Sequence, residues 1–215
     1  ALRTEGHMMV AYSGSSVRQD GQSASHTAPN VQAQQGLLTA ALADACTSAD
    51  ALTLSEPHGT GTALGDPGEA GSLAAAVLAS RSEAARGPLA VGGIKANVGH
   101  AEPAAAMTGL LRLAIGLRSA EAAPNAQLRV LNPHVAGAVR GMPCTLPVQL
   151  GALVVDEYIY GGVSSFGYSG TIAHGVMRRA AGDAATRLLP PPVMFKRPAF
   201  AWGDQAPATA SSPTH

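Results

Sequence analysis

The sequence predicts an α/β layered fold whose sheet is at least partly parallel. Two observations carry this. Up to about residue 120, short apolar runs alternate with helical patterns, the order that builds strand–helix–strand units. Beyond that point the alternation gives way to a long Pro-, Gly- and Asn-rich stretch and then to two β-like runs.

Residues 8–16 read as a strand, and Gln19-Asp20-Gly21-Gln22 as the turn after it, because Asp-Gly is a strong turn signal. Asn30 offers an N-cap for a helix over residues 31–46, with Leu37, Leu38, Ala41, Leu42 and Ala45 at helical spacing. Residues 51–55 form a short apolar strand. A second helix is expected from Asp66 to about residue 81, with Asp66 as cap, Pro67 at the first helical position and Glu69 three residues past the cap. Residues 89–94 have the length and Gly flank of a buried strand. Residues 102–118 form a third helix, apolar on nearly every side, which predicts burial all round. Residues 124–150 read as an irregular connection, 158–166 and 171–177 as strands, and 181–215 as linker or tail.

Composition narrows the function classes. The 215 residues suit one domain or a large piece of a bigger one. Hydrophobic residues make up 46% and aromatics only 4%, so small aliphatic side chains fill the core. Lys plus Arg equals Asp plus Glu at 14 each, with no basic stripe, which sets nucleic-acid binding aside. The two cysteines, Cys46 and Cys144, form neither a disulfide framework nor a zinc spacing, so no metal is expected and a reducing, cytoplasmic setting is the natural reading. The apolar stretches, such as residues 73–79, are too short to span a bilayer. The opening residues have neither signal-peptide character nor an initiator Met, the expectation being a chain cut from something longer.

Three segments stand out. The first is Glu56-Pro57-His58-Gly59-Thr60-Gly61-Thr62 with Leu64-Gly65-Asp66-Pro67. The second is Lys95-Ala96-Asn97-Val98-Gly99-His100. The third is Gly162-Val163-Ser164-Ser165-Phe166-Gly167-Tyr168-Ser169-Gly170-Thr171. In the first two a strand ends, a small-residue loop follows, and a His sits near a helix start. The positive end of a helix disfavours imidazolium, so a neutral ring is retained that donates a hydrogen bond to a carbonyl. Two such rings and a Lys suit polarising a carbonyl or stabilising an enolate. Competing readings fit less well. A P-loop needs Gly-Lys-Ser/Thr, the dinucleotide fingerprint needs Gly where Leu64 stands, and a nucleophile elbow needs Gly where Thr171 stands. His7, His26, His134, His174 and His215 are read as surface or satisfied polar residues.

His-Gly-Thr-Gly-Thr with Leu-Gly-Asp-Pro, Lys-x-Asn-x-Gly-His, and Gly-Val-Ser-Ser-Phe-Gly-x-Ser-Gly-Thr, in that order, resemble the three C-terminal signatures of modular-type ketosynthases. Asp20-Gly21, Thr27-Ala28-Pro29-Asn30 and Gln34-Gln35 resemble the text between them, and the likeness covers about residues 1–180. The resemblance implies the C-terminal half of a thiolase-like layered fold, with residues 181–215 following the domain. It implies decarboxylative Claisen condensation in polyketide or fatty-acid biosynthesis, the acyltransferase chemistry of a 3-oxoacyl synthase. It implies His58 and His100 as the active-site histidines and Lys95 as an electrostatic support. Thr60, Thr62, Asn97, Phe166, Gly167, Tyr168 and Ser169 would meet substrate, and the Tyr168 N–H would complete an oxyanion hole. It implies no cofactor bound by the domain itself, substrates on the phosphopantetheine of an acyl carrier protein, an N-terminal half that carries the catalytic Cys, and a dimeric parent enzyme. The chain departs from the pattern, with Pro57 where Ala is commoner and Cys46 where Gly often stands. No Thr-Ala-Cys-Ser-Ser-like motif occurs, and Ile172 stands where the family has Asn. A non-catalytic relative or fragment with a structural or interaction role is the competing expectation. A chain with half a fold should also leave an apolar face on the 102–118 helix uncovered.

Overall fold

The chain begins with β1 (Ala11–Gln19), α1 (Val31–Asp44) and β2 (Leu52–Glu56), and continues through α2 (Gly65–Ala76), β3 (Leu89–Val91), the single turn α3 (Lys95–Val98) and α4 (Ala105–Ser119). It then runs through β4 (Glu121–Ala122), α5 (Pro133–Ala138), β5 (Cys144–Thr145), β6 (Gly151–Ala152), β7 (Tyr158–Phe166) and β8 (Thr171–Ala180). This computed structural model describes residues 10–21, 29–82, 85, 87–126 and 128–180. All fall within the unit Ala1–Ala185, and the second unit, Thr186–His215, lies outside them.

One six-stranded sheet, in the order β1-β8-β7-β2-β3-β5, organises the rest. β1, β8 and β7 pair antiparallel, and β7, β2, β3 and β5 run parallel. All five residues of β2 are buried, as expected for a parallel strand covered on both faces. α1 and α2 lay Leu38, Ala41, Leu42, Leu73, Ala74 and Val77 on one face, against Leu89 and Val176. α4 lays Leu113 and Leu117 on the other, against Leu54, Ala90, Ile159, Val163 and Met177. Neighbouring residues such as Leu89 and Ala90, or Val176 and Met177, thus serve opposite layers, the period-two rule of a strand. The α/β layered expectation holds.

α4 approaches the sheet closely because glycines line the contact. A Cβ on Gly161 would stand 2.5 Å from Leu113 Cδ1 and 3.1 Å from the Leu54 carbonyl oxygen. At its far end, buried Arg179 of β8 donates to the Leu117 carbonyl at 3.1 Å, filling one of the acceptors a helix terminus leaves open.

The structure moves several element boundaries. The first strand runs from Ala11 to Gln19, so its expected start at residue 8 lies outside the described residues. Asn30 caps α1 as expected, accepting from the Ala33 N–H at 3.1 Å. Asp66 does not cap α2. The helix begins at Gly65, Thr62 Oγ1 accepts the Gly65 N–H at 3.1 Å, and the Asp66 carboxylate instead accepts the Gly61 N–H at 3.0 Å. α2 also ends at Ala76, with a 3-10 turn at Leu78–Ser80. Residues 92–94 leave the third strand, and the 124–150 stretch holds α5 and the edge strand β5. α4 is not buried all round. Met107, Leu111 and Ile115, four residues apart, are each more than half exposed on the side away from the sheet-facing Leu113 and Leu117. No helix among the described residues is long and apolar enough to cross a membrane.

Gly161→Val should force α4 off the sheet. Overpacking of this kind costs about 1–3 kcal/mol, read as a lower denaturant midpoint with unchanged slope. A midpoint equal to that of the parent chain would contradict the close approach.

Candidate functional site

β2 and β3 lie side by side and parallel, so both segments that leave their carboxyl ends emerge at one edge of the sheet. His58 follows β2 by two residues. Lys95 opens α3 four residues after β3, and His100 follows α3. The hairpin β7–β8 brings the Phe166–Thr171 turn to the same edge, since β7 is parallel to β2. These segments surround a cavity of about 540 Å3, lined by His58, His100, Thr60, Thr62, Phe166 and Tyr168 among others.

The two imidazoles meet edge to face, ring centroids 5.7 Å apart, and Phe166 sits 5.5 Å from His58. Burial, helped by the Lys95 ammonium and by His100, lowers the His58 pKa to about 4. Its ring is therefore neutral near pH 7. His100 Nδ1 accepts the Glu102 N–H at 3.1 Å, so the neutral ring carries its proton on Nε2. Burial also lowers the Lys95 pKa, against the opposing pull of Glu69, Glu56 and Asp66.

Side-chain acceptors that sequence reading did not single out as site residues fix the backbone of this region. Glu69, on α2, accepts from the His58 N–H at 2.7 Å and the Gly59 N–H at 2.8 Å, and burial pushes its carboxyl up to about 7. Its position three residues after Asp66 matches a capping box, yet its carboxylate turns to the His58 loop. Glu56, at the end of β2 and only 2% exposed, accepts from the Ile94 N–H at 2.7 Å and pairs with Arg112 of α4. Asn125 accepts from the Gly93 N–H at 2.7 Å and donates to the Val91 carbonyl at 3.1 Å. The sequence signals were a carboxylate just before the Gly-Thr-Gly loop for Glu56 and a capping-box position for Glu69. Asn125 left none, lying in a stretch that reads as irregular.

Of the residues singled out from sequence, His58, His100, Thr60, Thr62, Phe166, Gly167 and Tyr168 line one cavity, and Tyr168 is 90% exposed. Lys95 is not among the lining residues, though its charge acts on His58. The Asn97 amide points away, donating to the Pro124 carbonyl at 3.3 Å and accepting from the Ala126 N–H at 3.5 Å. Ser169, exposed in the Phe166–Thr171 turn, is not among the lining residues. Asp20, Asp66 and Glu69 do line the cavity. His174 is buried and shares a 2.9 Å hydrogen bond with Ser164, a satisfied polar pair as expected, and His134 lies exposed on α5. His7, His26 and His215 lie outside the described residues. Ile172 is fully buried. Cys144 lines a different cavity, and burial raises its thiol pKa. Cys46 is exposed just past α1.

Comparison with known proteins places the chain in a family. The family described as beta-ketoacyl synthase, C-terminal domain, matches residues 9–129. The chain is 34% identical over 193 residues to the 6-methylsalicylic acid synthase of Aspergillus niger and 40% identical over 193 residues to the mycoketide-CoA synthase of Mycobacterium tuberculosis. These alignments cover 86% and 85% of the chain but only 10% and 4% of the relatives' lengths. Among solved structures it is similar to a ketosynthase from module 6 of the bacillaene synthase of Bacillus subtilis, with a TM-score of 0.73 and 28% identity over 80% of this chain and 31% of that one. An oxazolomycin ketosynthase domain from Streptomyces albus gives 0.72 and 29%, over 80% of this chain and 30% of that one.

The electrostatics predict a pH signature. His174 has a folded pKa of about 4 against an ordinary 6.5, because burial disfavours its charged form. The unfolded chain then takes up the proton first, so the stability that neutral His174 contributes is present above 6.5 and lost as pH falls towards 4, up to about 3 kcal/mol. Glu69 acts in the opposite sense, losing stability as pH rises from 4.5 towards 7. Imidazole NMR should show His58 and His174 titrating near pH 4, and His174→Asn should shrink the acid-side loss of stability. His58 or His174 titrating near 6.5 would contradict the buried, neutral assignment.

Proposed function

The chain belongs to the beta-ketoacyl synthase C-terminal domain family, and from that premise we propose that it supplies the histidine wall of a ketosynthase active site in a polyketide synthase. The substrate is a malonyl-type extender thioester carried on the phosphopantetheine of an acyl carrier protein. His58 and His100 donate N–H bonds to its thioester carbonyl oxygen. The bond from Cα to the carboxylate breaks, CO2 leaves, and the electron pair moves into the enolate that these two donors stabilise. The enolate carbon attacks the acyl thioester on a Cys of the N-terminal half, and the Cys thiolate leaves. Burial, with the Lys95 charge adding to it, keeps His58 neutral, so that His58 enters the reaction as a donor.

The observation that carries this reading is the edge-to-face pair of imidazoles, 5.7 Å apart on one cavity, with Nδ1 of His100 already occupied as an acceptor. Two N–H donors at that separation can converge on one carbonyl oxygen, each at about 3 Å. Thr60, Thr62, Phe166, Gly167 and Tyr168 line the same space and would contact the acyl or pantetheine chain, and the Tyr168 N–H would serve the acyl carbonyl. Asn97 and Ser169 would act from outside that lining. The exposed stripe Met107, Leu111 and Ile115 is the surface on which the N-terminal half would rest, in a parent enzyme that is a dimer. Residues 1–180 form the ketosynthase part and 181–215 the segment after it. Neither Cys46 nor Cys144 lines the cavity, so the chain by itself performs no condensation. The competing reading, a non-catalytic relative, is favoured by buried Ile172 in the place of a polar loop anchor.

In the ketosynthase assembled from this chain and its N-terminal half, His58→Ala or His100→Ala should each slow malonyl-thioester decarboxylation about 100-fold. Acyl transfer to the Cys should change far less. Decarboxylation at the unsubstituted rate in both variants would sink the proposed roles, and an inactive assembled parent would favour the non-catalytic reading.

A further inference from the structure

The loops bearing His58, Lys95 and His100 leave three different elements, and one buried contact joins all three. Glu56 closes β2, two residues before His58. One of its carboxylate oxygens accepts from the Ile94 N–H, the residue before Lys95, at 2.7 Å. The other receives Arg112 NH1 of α4, the helix whose approach begins just after His100. The second guanidinium nitrogen, NH2, donates to the Ala123 carbonyl at 2.8 Å. Glu56 is 2% exposed and Arg112 10%, so little water reaches the pair. Space for it is built in. A side chain on Gly92 would collide with the guanidinium, and one on Gly109 would press on Glu56 Cγ at 3.4 Å.

We propose that the Glu56–Arg112 pair is the positioning element of the site, setting the Lys95 turn and α4 against the strand that presents His58. The inference rests on the roles proposed for His58 and Lys95. Neither partner touches the cavity that holds the two imidazoles. Their action passes through backbone: through the Ile94 N–H to the Lys95 turn, and through Ala123 to the segment that also supplies Asn125 to the Gly93 N–H at 2.7 Å. A buried carboxylate that loses its cation is left uncompensated, and it recovers by moving towards water or taking a proton. Either response withdraws the acceptor from Ile94. The Lys95 turn then shifts, and the charge that helps keep His58 neutral shifts with it.

The test has two arms. In the full chain, imidazole and lysine NMR is recorded for Glu56→Gln, Arg112→Met and Arg112→Lys. The first two should shift the titration of His58 upward and change the Lys95 side-chain signals, while Arg112→Lys, which keeps a cation for Glu56, should leave His58 close to the parent chain. In the assembled ketosynthase, Glu56→Gln and Arg112→Met should lower kcat for decarboxylation at least tenfold, with KM for the extender within about threefold. Arg112→Lys should retain a third or more of kcat. The proposal is overturned if the first two variants keep kcat within twofold and an unmoved His58 titration, if the loss tracks only the folded fraction, or if Arg112→Lys fails as badly as Arg112→Met. A variant too unstable to titrate at 25 °C is measured at lower temperature against the same criteria. Failure of the function itself shows separately, as normal decarboxylation in His58→Ala while the NMR arm still reports the geometry.

Discussion

Strand ends set the constraint on which this site depends. Where β2 and β3 stop, the backbone N–H groups of residues 58, 59, 93 and 94 have no strand partner, and a buried, unpaired N–H is costly. Here acceptors from side chains take them: Glu69 for His58 and Gly59, Asn125 for Gly93, and Glu56 for Ile94. The loops are thereby held as firmly as strands while their side chains stay free to face a substrate. Parallel pairing of β2 with both β3 and β7 then brings the three loops to one edge.

The same arrangement explains the electrostatics. Carboxylates buried to hold backbone lie close behind the imidazoles, yet they do not draw protons onto His58. Desolvation and the Lys95 ammonium outweigh them, and the His58 pKa falls to about 4. Lys95 in turn is flanked by Glu69, Glu56 and Asp66, which offset part of its own desolvation. The Lys95 cation, felt by both the acids and His58, lets one region keep carboxylates for structure and a neutral His58 for donation. An enolate forming at that wall meets fixed donors that need no reorganisation.

Much of this was legible in the sequence, for reasons that can be named. Strand and helix patterns located the elements, and β7 begins and ends where the β-like run over residues 158–166 does. The motif Lys95-Ala96-Asn97-Val98-Gly99-His100 located the chemistry because loop residue types reveal function more openly than core residues do. What stayed hidden were contacts between distant segments. Asp66 reads as a cap from its neighbours alone, but the helix starts at Gly65, whose N–H Thr62 accepts, and Asp66 turns to Gly61. Arg112 reads as a polar residue on an apolar helix, and only the fold reveals that it is aimed at Glu56, 56 residues away. β5 was missed because two residues at a sheet edge carry no periodicity. Residue pattern showed that α4 is apolar on nearly every side and would leave a face uncovered, but only the fold reveals that the open side is that of Met107, Leu111 and Ile115.

The central claim is that His58 and His100 act together on one carbonyl oxygen. A non-decarboxylating malonyl-thioester analogue, titrated into the assembled ketosynthase labelled with 15N-histidine, tests it most directly. The account predicts that ring N–H signals of both histidines move downfield together with one binding isotherm, and that removing either ring weakens the shift at the other. Movement of one ring alone, or of neither at saturation, would contradict it.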